Sequence, residues 1–406
     1  VLLPRSAGKG SSHLSIHPLI VKCDVLVVGA SSAGMMAATS AAEGGASVML
    51  LDRNLGRLQH DANTLFEGMA ALSGVRINDC LLRKELDGMR ILSPSGRGVT
   101  IPAKGYFIDR EAFDRHYLRL AEKAGVAPLS GEVKSIRLSG KERRVSLQGA
   151  EIHARVVIDA SGIASGLSEK EGLRPMRHPE DIAWAMEADI EYPYLGEEMF
   201  FQYWLGSMAP GWKATFSPAG GDLATIGVFV RGHGRDVRPF FDRFSKLFQA
   251  YKASQYRDID RMKILSIRRG GDPICAMPGE MVADSLMVTG GAAGQSGLAY
   301  SMRAGSICGT VAAEAIQRDD VSSRSLSEYV RRWRREFYWQ YRMGRSSLLT
   351  LGQMRDEEIE RLISGLTGRE LLSKGSFLKK AVYAGTKVSM IRPRTLYDLL
   401  ANLMRG

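Results

Sequence analysis

Residues 22–53 read Lys22-Cys-Asp-Val-Leu-Val-Val-Gly-Ala-Ser-Ser-Ala-Gly-Met-Met-Ala-Ala-Thr-Ser-Ala-Ala-Glu-Gly-Gly-Ala-Ser-Val-Met-Leu-Leu-Asp-Arg53. The apolar, largely β-branched run Val25 to Val28 suits a parallel strand buried on both faces, and Gly29 breaks it into a turn. Small residues dominate from Ala33 to Glu43, so a helix there can pack close to the sheet; Gly44-Gly45 ends it before a second apolar run, Ala46 to Leu51. The result is a βαβ unit closed by Asp52. Backbone N–H groups at the start of its helix face a pyrophosphate, and the macrodipole adds about 0.3–1 kcal/mol for an anion there. Asp52 stands where a carboxylate accepts ribose hydroxyls and repels a 2′-phosphate. Of the pattern G-x-G-x-x-G, Gly29 and Gly34 are present and Ser31 replaces the middle glycine. A glycine pattern alone is weak evidence, but strand, turn, helix, second strand and terminal acid together select dinucleotide binding over a plain α/β core.

The 406 residues, 45% of them hydrophobic, suffice for two or three subdomains with a full core. Cys23, Cys80, Cys275 and Cys308 form no C-x-x-C pair, and the seven histidines show no metal-ligand spacing with them, so a reducing, cytoplasmic setting without a structural metal is expected. Residues 1–21 carry basic, Gly/Ser and Pro residues without a signal-type apolar stretch and read as a flexible leader. No window approaches the apolar length of a spanning helix. The net charge of +11 suits an anionic membrane face or an acidic protein donor, and nucleic acid ranks last because no nucleic-acid motif accompanies it.

Downstream, 55–71 reads as a loop and short helix over the nucleotide, and 81–104 as a β meander. Asp109 caps an amphipathic helix that carries Phe113, Tyr117 and Leu118 and stops at Gly125. Three short strands follow, the last running into Asp159-Ala-Ser-Gly162, a tight turn at the carboxyl edge of a sheet where α/β proteins bind ligands. Between 176 and 264 the helical signal disappears and aromatic residues alternate, predicting an antiparallel sheet that walls an apolar pocket. Ser285 to Gly294 is a strand entering a glycine turn, and Leu298 to Ile316 a small-residue helix whose N-terminus meets the ligand over the sheet. From 321 onward the chain is helical and charged. Arg331, Arg332, Arg334 and Arg335 around Trp333 read as a solvated helix face or as a patch for a membrane surface or an acidic partner.

Together these pieces resemble the geranylgeranyl reductase family of FAD-dependent oxidoreductases, within the wider group of p-hydroxybenzoate hydroxylase-like and FixC-type flavoproteins, from about residue 22 to the C-terminus. Gly29-Ala30-Ser31-Ser32-Ala33-Gly34 with Asp52 and Arg53 is similar to the family's first FAD motif. Tyr106-Phe-Ile-Asp-Arg-Glu-Ala-Phe-Asp114 is similar to its arginine-plus-Phe-Asp helix start, which places Arg110 near FAD, and Asp159-Ala-Ser-Gly162 to its Asp-Gly turn, with Ser161 for the aspartate. The Trp333 helix and Ile391-Arg-Pro-Arg-Thr-Leu-Tyr-Asp-Leu-Leu400 resemble its C-terminal region. The resemblance implies an α/β fold: a Rossmann-like FAD-binding domain (22–175 and 265–320), an inserted antiparallel β substrate domain (176–264) and a helical C-terminal region (321–406). It also implies that Gly162, Gly290, Gly291, Ala292, Gly294 and Gly297 lie on the cofactor, with Tyr203, Trp204, Trp212, Phe216 and Pro218 on the substrate pocket.

Besides Ser161, the chain departs from the family in three places. Gly290-Gly-Ala-Ala-Gly-Gln-Ser-Gly297 has Gly291 where the family has an aspartate that accepts from the ribityl chain, and its loop is shorter. A hydrogen bond to a charged group is worth roughly 1.5–3 kcal/mol, about tenfold to hundredfold in affinity, so weaker FAD binding is expected. The family's Tyr-x-Trp-x-Phe-Pro motif is blurred to Gly211-Trp-Lys-Ala-Thr-Phe-Ser-Pro218, and the cysteine that some relatives carry after the first acid is absent.

The expected activity is hydride delivery from reduced flavin to an isolated C=C of an isoprenoid lipid or related apolar substrate, with NAD(P)H or a small redox protein as electron donor. No residue is fixed as proton donor; Tyr203, His178 and Lys213 qualify by position only. The rivals are a monooxygenase or halogenase of the same fold and a weakly flavinated lipid-binding protein. Peripheral membrane contact would suit the lipid substrate.

Overall fold

The computed structural model describes residues 19–55, 63–75, 77–368, 386 and 394–405. The expected leader therefore lies largely outside the described residues; strand β1 (Leu19–Val28) begins at Leu19, ahead of the expected apolar run. It continues through Gly29 into α1 (Ser32–Glu43) and β2 (Val48–Asp52). Then come β3 (Thr64–Phe66), α2 (Glu67–Ser73), β4 (Leu82–Leu92), β5 (Gly98–Ile108), α3 (Arg110–Lys123), β6 (Ala127–Ser130), β7 (Ser135–Ser139), β8 (Glu142–Ser146) and β9 (Ala150–Asp159). The middle of the chain holds α4 (Leu167–Lys170), β10 (Ala183–Glu191), β11 (Phe200–Trp204), β12 (Lys213–Pro218), β13 (Leu223–Val230), α5 (Arg238–Lys252) and β14 (Lys263–Asp272). It ends in β15 (Val282–Ala283), β16 (Leu286–Val288), α6 (Leu298–Gln317), α7 (Ser323–Gly352), α8 (Asp356–Leu366) and α9 (Arg394–Arg405).

In the first sheet β16, β9, β1, β2 and β6 lie side by side in that order and all run parallel. Val28 is level with Leu51 and Asp159, and Asp159 with Val288, so four strands end together at one edge. From β1 the chain turns first toward β2 and later reaches β9 on the other side, which opens a crevice at the carboxyl end of β1. Helix α1 is held against α6 by backbone approach. A Cβ on Gly305 would lie 2.2 Å from the Ala33 carbonyl oxygen, and one on Gly309 2.0 Å from that of Ala37.

The second sheet runs β14-β10-β13-β12-β11-β4-β5-β3, antiparallel except where β11 meets β4. It takes strands from both sides of the expected 176–264 insert. Segment 81–104 is a hairpin of this sheet, because Phe200–Trp204 pairs with Gly88–Leu92, and β14 extends to Asp272. Composition marks a change of character but not a long-range pairing. Helix α5 also departs from expectation. Pro239 in its first turn and the buried Phe241, Phe244 and Phe248 on one stripe make it a helix where aromatic content suggested only strands. Those rings pack on the sheet face carrying Met186, Trp204, Ala214, Phe216, Ile226 and Val228.

The buried stripe of α7 is Leu326, Tyr329, Trp333, Phe337 and Tyr341, at helical spacing against the first core. Its arginines are partly spoken for: Arg332 bridges Glu314 and Glu328, Arg331 pairs with Glu328, and Arg303 of α6 grips Glu336. Among the described residues no helix is long and apolar enough to cross a membrane.

Candidate active site

The parallel register brings the glycine turn, Asp52, the Asp159 turn and the Gly290 segment to the same edge. At Gly29 φ is +104°, and a Cβ would lie 2.5 Å from the Ala160 carbonyl oxygen; at Gly34 it would lie 1.9 Å from that of Gly29. These two positions admit only glycine. Ser31 takes the middle position without obstruction because its side chain turns back. Its hydroxyl accepts from Gly34 N (3.2 Å) as the helix cap and donates to Ala160 O (3.1 Å). Gly34 N–H is taken up by this cap, while the Ser32 and Ala33 N–H groups have no intrahelical acceptor and remain for an anion. The Asp52 carboxylate accepts from Ala30 N and Asn54 N, both at 2.8 Å, so it fixes the turn as well as presenting its remaining lone pairs.

Arg110 enters from α3, whose start is capped by Asp109 accepting from Ala112 N (3.0 Å). Its guanidinium is buried, and Nη2 donates to Ser32 Oγ (3.1 Å) and to Asp114 Oδ1 (2.9 Å). Nε and Nη1 are buried with no acceptor among the described residues. A buried guanidinium holding two unused donors beside the first turn of α1 is the mark of an anionic group that the polypeptide does not supply.

Across the crevice, Asp159 is consumed internally: it accepts from Ser161 N (3.1 Å), the Ser161 hydroxyl and Ser168 N (3.1 Å). Gly162 leaves this turn at φ +84°. Gly290, at φ +65°, abuts Ala33 of α1, and Ala292, Gly294 and Gly297 continue to the start of α6. Two of the expected cofactor residues are exposed: Arg53, in the turn after β2, and Gly297, just before α6.

The 290–297 segment is held by residues that no sequence spacing marks. The Gln295 side chain accepts from Gly290 N (2.6 Å) and Thr289 Oγ1 (3.1 Å) and donates to Tyr329 Oη (2.8 Å). Tyr341 Oη accepts from Ser296 N (3.0 Å), and the Ser296 hydroxyl donates to Asp272. Burial holds both phenols above their ordinary range, so they stay neutral and can donate. Two tyrosines from α7 thus fix the loop, from more than thirty residues away in sequence. Tyr341→Phe keeps the ring but leaves Ser296 N–H buried without an acceptor; thermal melts should show a loss of about 1–3 kcal/mol, and FAD titration a weaker complex.

On the second sheet, strand alternation divides the expected pocket residues. Tyr203 lies on the face away from α5 with Trp212 nearby, both flanking Lys213, whereas Trp204 and Phe216 are fully buried on the α5 face against Phe244, Tyr251 and Phe248. These two are core residues. Pro218 ends β12. His178, Glu180 and Asp181 place ligand atoms within 4.8 Å of one another, but Asp181 already accepts from Arg231 (2.8 Å) and Arg345. Burial pushes the Asp181 carboxyl up, and these two arginines outweigh it and hold it below the usual range.

The carboxyl-edge crevice, the glycine cradle and the unpaired donors of Arg110 fit the dinucleotide-binding class of α/β proteins, and the comparisons make that class an oxidoreductase. A family model described as FAD dependent oxidoreductase matches residues 24–169. The chain is 32% identical to digeranylgeranylglycerophospholipid reductase 1 of Methanothermobacter thermautotrophicus, over 91% of this chain and 97% of that protein. It is 30% identical to the digeranylgeranylglycerophospholipid reductase of Methanocaldococcus jannaschii, over 88% and 93%. In fold it is similar to a geranylgeranyl bacteriochlorophyll reductase-like protein from Thermoplasma acidophilum (TM-score 0.83, 20% identity, 94% of this chain and 100% of that one). It is also similar in fold to halogenase PltM in complex with phloroglucinol and FAD (TM-score 0.65, 15% identity, 93% and 85%). The chain belongs to the geranylgeranyl reductase family and is an FAD-dependent enzyme.

Proposed function

We propose that the enzyme saturates carbon–carbon double bonds of a prenyl lipid. The observation that carries this reading is the near full-length 32% identity to an enzyme named for reducing digeranylgeranylglycerophospholipid, joined to a carboxyl-edge crevice whose residues fit FAD. FAD supplies the hydride once reduced. The first-turn N–H groups of α1 and Arg110 hold its pyrophosphate side, and Asp52 takes the ribose. The 162–163 and 290–297 segments, braced by Gln295, Tyr329 and Tyr341, carry the ribityl and ring end. The β10–β13 face opposite α5 lies over the reacting alkene and keeps water from it.

The electron donor is NAD(P)H or a small redox protein, and the basic surface suits an acidic carrier. Peripheral contact with a membrane would give access to a lipid substrate. The fold similarity to halogenases is at 13–16% identity and carries architecture only. Anaerobic turnover of dithionite-reduced enzyme with geranylgeranyl lipids, read by mass spectrometry, should show a gain of two hydrogens per reduced double bond. No such gain on any prenyl lipid would remove the reductase reading.

A further inference from the structure

Strand β12 has two faces. Ala214 and Phe216 pack on α5, while Lys213, Thr215 and Ser217 turn the other way and are nearly as buried. That second face meets β3, the far edge strand of the same sheet: Ser217 Oγ lies 2.6 Å from Thr64 Oγ1, Asn63 Nδ2 donates to Thr225 Oγ1 (3.2 Å), and Phe66 packs on Phe201.

Lys213 lies within a box of four rings. Its Nζ is 4.3 Å from the Trp212 centroid, 4.4 Å from Tyr203, 4.8 Å from Phe229 and 6.0 Å from Phe201. The residue is 9% exposed, and its hydrogen bond, to Tyr203 Oη, is long at 3.4 Å. Among the described residues no carboxylate pairs with it. The sheet's other buried lysine shows what a structural role requires: Lys252, also among aromatic rings, is gripped by Glu198 at 2.5 and 2.7 Å, and Tyr256 donates to the same carboxylate. Ring faces attract an ammonium without supplying an opposite charge, which leaves that role to a bound anion. The two hydroxyls that follow on the same face, Thr215 and Ser217, continue a polar row.

We infer that Lys213 is the anion contact of the substrate pocket: it receives a phosphate-ester oxygen of a phosphorylated prenyl lipid, and the surrounding rings take the hydrocarbon that adjoins the head group. This rests on the prenyl-lipid reading and adds to it the residue that meets the head group.

Equilibrium binding to FAD-loaded protein tests it, with geranylgeraniol, geranylgeranyl monophosphate and digeranylgeranylglyceryl phosphate in mixed micelles. A charge-assisted contact makes wild-type protein prefer the phosphorylated lipids by about tenfold or more. Lys213→Met and Lys213→Gln should erase that preference while leaving the affinity for the alcohol unchanged, and Lys213→Arg should keep it. Whichever phosphorylated lipid binds more tightly identifies the source of the phosphate. A preference that survives in both neutral variants, or no preference in wild type, overturns the Lys213 assignment and leaves the reductase reading standing. Failure of all three lipids to bind overturns both.

Discussion

Gly34→Ala should give a folded but colourless protein, with FAD affinity reduced by at least about a hundredfold, equivalent to about 2.7 kcal/mol. The added methyl would lie 1.9 Å from the Gly29 carbonyl oxygen and 3.1 Å from Ala160 Cβ, and the first of these is backbone that cannot rotate aside. The helix cannot simply back away either. On its far side Gly305 and Gly309 of α6 bring that helix against the Ala33 and Ala37 carbonyls with no space for even a Cβ. Relief must come from opening the turn at 29–31, which breaks the Ser31 cap and moves the N–H groups that face the pyrophosphate. FAD titration by fluorescence quenching measures the loss, and far-UV circular dichroism shows that the fold persists. A yellow protein with unchanged affinity would mean that the cradle does not form the pyrophosphate site.

The carboxyl edge of the first sheet was the legible part of the chain because its determinants are local. A strand, a glycine turn, a small-residue helix and a closing acid follow one another within thirty residues, and Arg110 and the 290–297 segment carry similar short patterns. What was not legible depends on pairing at a distance. The β4–β5 hairpin belongs to the second sheet because β11 lies beside β4, more than a hundred residues later. Gln295, Tyr329 and Tyr341 share a hydrogen-bond network that no spacing relates, and burial is what makes it consequential. The pocket aromatics show a subtler limit. Composition identified an aromatic sheet, but only the register shows that Phe216 and Trp204 face α5 while Tyr203 and Lys213 lie on the opposite face. Helix α5 was missed although Pro239 and its Phe241, Phe244, Phe248 stripe were present, because its rings also fit the expectation of strands.

Gly291→Asp should do the opposite of Gly34→Ala and tighten FAD binding, by about tenfold to hundredfold for one recovered charged hydrogen bond. The family pattern that this segment resembles implies an aspartate at this position, directed at the ribityl chain, and the structure shows no steric obstacle to one. A Cβ at 291 meets nothing closer than Ile163 Cγ2 at 3.5 Å and Gly162 Cα at 3.6 Å, which is ordinary contact, and the backbone there needs no positive φ. The neighbouring glycine is a different case. Gly290 sits at φ +65°, its Cβ would come within 2.8 Å of Ala33 Cβ, and its N–H is bound by Gln295. Gly290→Asp should therefore lower both the melting temperature and FAD affinity, while Gly291→Asp leaves the melting temperature of the apoprotein unchanged and raises that of the FAD-loaded protein by linkage. Isothermal titration of the two variants separates a recovered ligand contact from a general effect of added negative charge, since both carry the same charge one residue apart. Equal tightening in both would attribute the gain to charge alone, and no gain in Gly291→Asp would show that the 290–297 segment holds the ribityl chain by other groups.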